Sequence, residues 1–190
     1  ALDALNTISD INLFPVSHLS YLRGRNFDPE VVIPKYKLMA VGNLGKYKFS
    51  IIIPIFYQGK MVTFTSRSIS KQSTLRYRNQ PNDEAAIPIK ECVYNIDSVN
   101  ETMLIVEGPT DVWRMGDGCV AMFGIQWMFE QVQKIMMKKP KNIFIMFDPE
   151  DKAQERALKL AGTLTADHIE ILDLPFGDPA EMKEDDVLHL

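Results

Sequence analysis

The 190-residue chain is predicted to be an α/β protein, and three observations predict it. Short apolar runs alternate with helical patterns through the second half, which implies a mainly parallel sheet flanked by helices. The first half carries a hairpin signal, two β-branched and aromatic runs around Gln58-Gly59. Charge divides in the same way: residues 1–100 hold 12 Lys/Arg against 8 Asp/Glu, and residues 101–190 hold 9 against 17. Two domains are therefore expected, a basic α+β unit over 1–100 and an acidic α/β unit over 101–190.

Taken in order, Asp28-Pro29 reads as an N-cap followed by proline at the first helical position, opening a helix that Pro34 interrupts. YKFSIIIPIFYQGKMVTFTSR is the hairpin, with Pro54 marking an edge or a bulge. KQSTLRYRNQPNDEAA is polar and reads as an exposed loop. TMLIVE is a short buried strand, and PTDVWRMG a short helix stopped by Gly116 or Gly118. CVAMF is a strand. QWMFEQVQKIMMKK is a helix, with lysines near its C-terminus where they suit the dipole. NIFIMF, DKAQERALKLAG and HIEIL complete the alternation as strand, helix and strand, with Gly162 closing the helix. The methionines at 115, 122, 128, 136, 137 and 146 read as core filler.

With 46% apolar and 24% charged residues the chain suits a globular protein with a sizeable core. No apolar run approaches the roughly 20 residues of a membrane helix. No secretory segment stands at the start. Residue 1 is Ala, so a piece of a longer protein is expected. Cys92 and Cys119 give no disulfide framework and no zinc pair, and the three histidines have no ligand spacing. A reducing, cytoplasmic setting is expected and no zinc in this chain.

The chemistry gathers in two places. Glu107 ends one predicted strand, Asp148 ends another with Glu150 two residues on, and Asp178 follows the last. In open α/β sheets ligands bind outside the carboxyl ends of the strands. Carboxylates crowded there repel one another, and a hard divalent cation removes the conflict. A lone acid after a strand is more often a helix cap, and Asp151 is a candidate for that role. The second place is basic: no acid occurs between Glu30 and Asp83, a window with nine Lys and Arg residues. A concentrated positive face attracts polyanions. Tyr47 and Tyr77 in that region suit either base stacking or packing.

LIVEGPTDV, FDPED and FGDPAE together resemble a Toprim domain. The resemblance implies that Glu107 is a metal ligand or a general base, and that Asp148 is the first acid of an Asp-x-Asp pair. Glu150 stands where the second Asp is expected, longer by one methylene, and Pro149 replaces the more usual Gly. Asp178 resembles the Asp-Pro element found after the last strand in primases. Gly108 gives the turn after the glutamate. Asp111 is either a support behind the ligands or a helix-start acid.

The first half, from YLRGRNFDPEVVIPKYKL through the hairpin to LRYRNQP and IKECVYNID, resembles the N-terminal subdomain of DnaG-like primases, closest in pattern to phage-like members. By that resemblance Arg67 is the hairpin arginine, with Ser66 in place of a glycine. Arg76 takes the position of a loop lysine, Lys90 matches a second lysine, and Arg23 is a further candidate. These cations are implied to hold nucleotide or template. The implied function is RNA primer synthesis on single-stranded DNA from ribonucleoside triphosphates, with Mg²⁺ or Mn²⁺, two ions or more, on Glu107, Asp148, Glu150 and Asp178. An RNA–DNA hybrid is the implied product-bound state, and a replicative helicase the implied partner through domains outside this chain. A Toprim nuclease and a non-catalytic Toprim binding module are the alternatives.

Overall fold

The computed structural model describes residues 5–174 and 179–182. Two compact units form. The first takes the chain up to Ile55 and then Met61–Ile89, and the second takes Phe56–Lys60 and the chain from Lys90 onward.

In the first unit, β1 (Thr7–Ile8) and α1 (Val16–Arg23) precede α2 (Pro29–Tyr36). Asp28 caps α2 as expected, its side chain accepting from the Glu30 N–H. Pro34 does not interrupt this helix. It lies inside the last turn, and the helix stops three residues later, where Lys37 turns left-handed (φ 52°). Strands β2 (Met39–Val41), β3 (Ser50–Tyr57), β4 (Lys60–Ser68) and β5 (Tyr77–Asn79) follow. With β1 they make a sheet in the order β1-β2-β3-β4-β5.

Gln58 and Gly59 both take positive φ (52° and 74°), the two-residue turn whose twist matches a hairpin. β2 pairs with β3 only over Ser50–Ile52. Pro54, which cannot donate to a ladder, therefore lies past the end of β2, at a locally open edge. The polar stretch after the hairpin is not all loop. Its residues 77–79 pair antiparallel with β4, Arg67 opposite Tyr77. The unit's apolar centre includes Ile51, Ile52, Ile53, Ile55 and Phe64, all nearly inaccessible. Tyr47 is core as well, edge-on to Phe64, with its hydroxyl donating to the Asn79 carbonyl.

The second unit alternates as predicted: β6 (Thr102–Val106), α3 (Pro109–Met115), β7 (Cys119–Ala121), α4 (Phe129–Met137), β8 (Asn142–Ile145), α5 (Asp151–Ala161) and β9 (His168–Ile171). The four strands are parallel, in the order β7-β6-β8-β9. Covered fully on one face and partly on the other, the central strands β6 and β8 are continuous apolar runs rather than alternating ones. Met103, Ile105, Ile143, Ile145 and Phe147 pack with Val132 and Ile135 of α4 and with Ala153, Ala157 and Leu160 of α5. Not every methionine is filler: Met122 and Met146 are buried, whereas Met128 and Met137 are exposed.

The hairpin tip belongs to this unit, because the Asp97 carboxylate accepts the N–H groups of Gln58 (3.0 Å) and Gly59 (2.8 Å). No helix among the described residues is long and apolar enough to cross a membrane.

Candidate functional site

In a parallel sheet the ligand site lies where successive connections leave to opposite sides. Here the chain leaves β6 through α3 for β7 on one side, and leaves β8 through α5 for β9 on the other. The switch point is therefore between the neighbouring strands β6 and β8. Glu107 follows the last residue of β6, and Asp148 stands three residues beyond β8. Glu107 Oε1 accepts the Asp148 backbone N–H at 3.0 Å, so residues 41 apart in sequence meet at one spot. Both are half-buried.

The other acids are placed differently. Glu150 is exposed and occupies the N-cap position of α5 without a side-chain capping bond. Asp151, a candidate cap, is instead the first helical residue. Asp111 is buried, and its carboxylate accepts the Gly108 N–H at 2.8 Å, which is the geometry of a helix-start acid. Gly108 has φ −126°, so the position draws on no special freedom of glycine; an added Cβ would sit 3.4 Å from Asp111 Oδ2. Asp178 lies outside the described residues.

The donors at this end of the sheet are carboxylate oxygens, which suit a hard cation such as Mg²⁺ or Mn²⁺. Glu107 and Asp148 are of the donor type such an ion takes. Among the described residues no group of three or more His, Cys, Asp or Glu side chains is in place to hold a metal. The cysteines are buried, and burial pushes the Cys92 thiol up to about 11 and that of Cys119 well above its usual value.

In the first unit one cation stands apart. Arg67 on β4 is only 7% exposed. Its cross-strand partner Tyr77 shares its face of the sheet, and the guanidinium lies 4.9 Å from the Tyr77 ring centre and 6.0 Å from that of Tyr21 on α1. Nε donates to the Tyr21 hydroxyl at 2.5 Å, and Nη1 donates to the Tyr77 hydroxyl. Burial works to lower the basicity of the guanidinium, but the two tyrosine oxygens outweigh it and raise the pKa. A guanidinium has five N–H groups. Two are used here, and among the described residues no carboxylate lies within ion-pair distance of Arg67. Tyr77 is thus a platform for a cation.

The remaining predicted cations are more ordinary. Arg23, in the last turn of α1, and Arg76, just before β5, are exposed. Lys90 lies in a 3-10 turn (Ile89–Glu91) and donates to the Phe123 carbonyl at 3.2 Å. Tyr21 and Gln154 are the residues the sequence did not single out. Tyr21 comes two positions before Arg23 on a helix with no capping signature. Gln154 is identified only by its contacts, donating from Nε2 to the carbonyls of Phe147 (3.3 Å) and Asp148 (3.1 Å).

No family model and no curated protein matches the chain. Solved structures do. The zinc-binding and RNA polymerase domains of the Aquifex aeolicus primase superpose with a TM-score of 0.75 at 20% identity, over 93% of this chain and 55% of that one. The chain thus spans about half the length of that structure. The primase fragment of the bacteriophage T7 primase-helicase protein superposes with a TM-score of 0.67 at 14% identity, over 84% of this chain and 67% of the other. A T7 lagging-strand DNA polymerase structure contains primase domains of two gp4 subunits bound to an RNA/DNA hybrid and dTTP. It matches with a TM-score of 0.60 at 14% identity, over 88% of this chain and 84% of that one. At these identities the likeness is one of fold, and the chain has the fold of the DnaG-like DNA primase catalytic domain.

Proposed function

We propose that the chain is the catalytic region of a DNA primase, joining ribonucleoside triphosphates into short RNA on a single-stranded DNA template. The observation that carries the proposal is the Glu107–Asp148 link at the switch point of a parallel sheet, in a chain with a primase fold. The T7 primase domains bound to an RNA/DNA hybrid support the same class of partner for this chain. A replicative helicase would be engaged through other domains.

In the proposed reaction a primer 3′-hydroxyl attacks the α-phosphorus of the incoming triphosphate. The new P–O bond forms as the bond to the β-phosphate's bridging oxygen breaks, and pyrophosphate leaves. Glu107 and Asp148, with Glu150 and Asp178, would hold Mg²⁺ or Mn²⁺. Such ions, when bound, stabilise negative charge on the attacking and leaving oxygens. Glu107 serves either as a ligand or as the acceptor of the hydroxyl proton. Arg67 offers the triphosphate or the template backbone a desolvated guanidinium already oriented by two tyrosines, and orientation and electrostatics of this kind supply much of the rate in phosphoryl transfer. Arg76, Lys90 and Arg23 add positive field along the nucleic acid.

The test is direct. Protein, a single-stranded template, ribonucleotides and Mn²⁺ or Mg²⁺ are combined, and short RNA is sought on a sequencing gel. Product that disappears with Asp148→Ala, folding intact, is the expected result. Product unaffected by Asp148→Ala contradicts the assignment, and template cleavage without ribonucleotides indicates a nuclease instead.

A further inference from the structure

The chain between β8 and α5 has left the ladder, so its carbonyls need other donors. Residues 146–150 form that connection, and Asp148 is in it. The carbonyls of Phe147 and Asp148 both receive the same atom, Nε2 of Gln154 in the first turns of α5, at 3.3 and 3.1 Å. Phe147 is fully buried. On the other side, the Asp148 N–H is taken by Glu107 Oε1. The two peptide groups flanking the Asp148 Cα are thus held from β6 and from α5. A primary amide nitrogen carries two hydrogens, one for each carbonyl. A methionine of similar length has none, and a glutamate would set a carboxylate against two carbonyl oxygens.

We propose that Gln154 is a positioning residue for Asp148, fixing the backbone that aims its carboxylate at a divalent cation. This rests on the proposal that Asp148 is a metal ligand. Partners behind a ligand typically change metal affinity by 10- to 100-fold when removed, because they set the ligand's orientation. A residue that only fastens α5 to the sheet would change stability and leave ion affinity alone.

The experiment is a Mn²⁺ titration of the full chain followed by the electron paramagnetic resonance signal of the free ion. Wild type, Asp148→Asn, Gln154→Met and Gln154→Glu are compared, with folding checked by circular dichroism. Met and Glu are both good helix formers, so α5 is expected to survive. The expected result is Mn²⁺ binding in wild type that Asp148→Asn removes and Gln154→Met weakens roughly tenfold, with the Mn²⁺ half-saturation of primer synthesis shifted in parallel. Mn²⁺ affinity unchanged in folded Gln154→Met and Gln154→Glu overturns the positioning role while leaving Asp148 as a ligand. Wild-type binding that Asp148→Asn does not reduce overturns the metal reading itself. Independently of any variant, the two side-chain N–H resonances of Gln154 should exchange slowly with solvent, and exchange at the rate of a free amide overturns the inference.

Discussion

Glu107 Oε1 accepts the backbone N–H of Asp148, which joins the segments that follow β6 and β8. It also lets structure and charge be separated. A glutamine at 107 retains the accepting oxygen but not the negative charge. Glu107→Gln should therefore melt within about 1 kcal/mol of wild type, while primer synthesis falls by roughly 100-fold or more, the scale for losing one electrostatic group at a reacting centre. Thermal unfolding and a primer assay on the same preparation check both halves.

Arg67 is a buried cation held by two tyrosines, with no carboxylate in ion-pair reach among the described residues. Removing it leaves no orphaned anion, so Arg67→Met should melt at or above the wild-type temperature. Binding to single-stranded DNA should weaken, and the slope of log affinity against log salt should shrink by about one. Arg67→Lys should not restore binding, since an ammonium lacks the planar fork that two hydroxyls orient here. Fluorescence anisotropy at several salt concentrations measures all three.

The hairpin tip makes a separate stability prediction. Asp97 accepts two N–H groups from Gln58 and Gly59, so Asp97→Ala should cost about 1–2 kcal/mol. Gly59→Ala strains a residue at φ 74° and should cost about 1 kcal/mol. Urea unfolding checks each, and the paired substitution should fall short of the sum, because both act on the same turn.

A pH dependence follows from His18. Burial lowers its pKa in the folded protein, against weaker support from its contacts with the Ser50 and Val41 carbonyls. The unfolded chain protonates at the ordinary value near 6.5, before the folded chain does. Stability should therefore fall as pH drops below about 6.5 and level off once the folded-state value is passed. His18→Gln should flatten that part of the profile, as read from unfolding midpoints between pH 7.5 and 5.

The second unit was legible because its central strands are continuous apolar runs and α4 and α5 are one-sided, so strand ends, and the acids at them, could be located from the residues alone. That Glu107 and Asp148 meet follows from strand order, which the alternation suggests but does not specify. The first unit was harder. β5 sits in a polar stretch because it pairs with β4 through its backbone while Arg78 and Asn79 face solvent. α1 begins at a proline with no side-chain cap and buries only His18 and Leu22, so neither capping nor periodicity announces it. Tyr21 and Arg67 are 46 residues apart, and nothing local links them. Gln154 was illegible for a related reason: its role depends on two carbonyls that become available only when the chain leaves β8.

The most direct measurement is a crystal soaked with Mn²⁺ and a ribonucleoside triphosphate, with anomalous scattering collected at the manganese edge. The account predicts manganese at the Asp148 carboxylate, beside Glu107, with the nucleotide's phosphates ordered next to it. Ordered nucleotide with no anomalous peak beside those two residues at millimolar Mn²⁺ would contradict it.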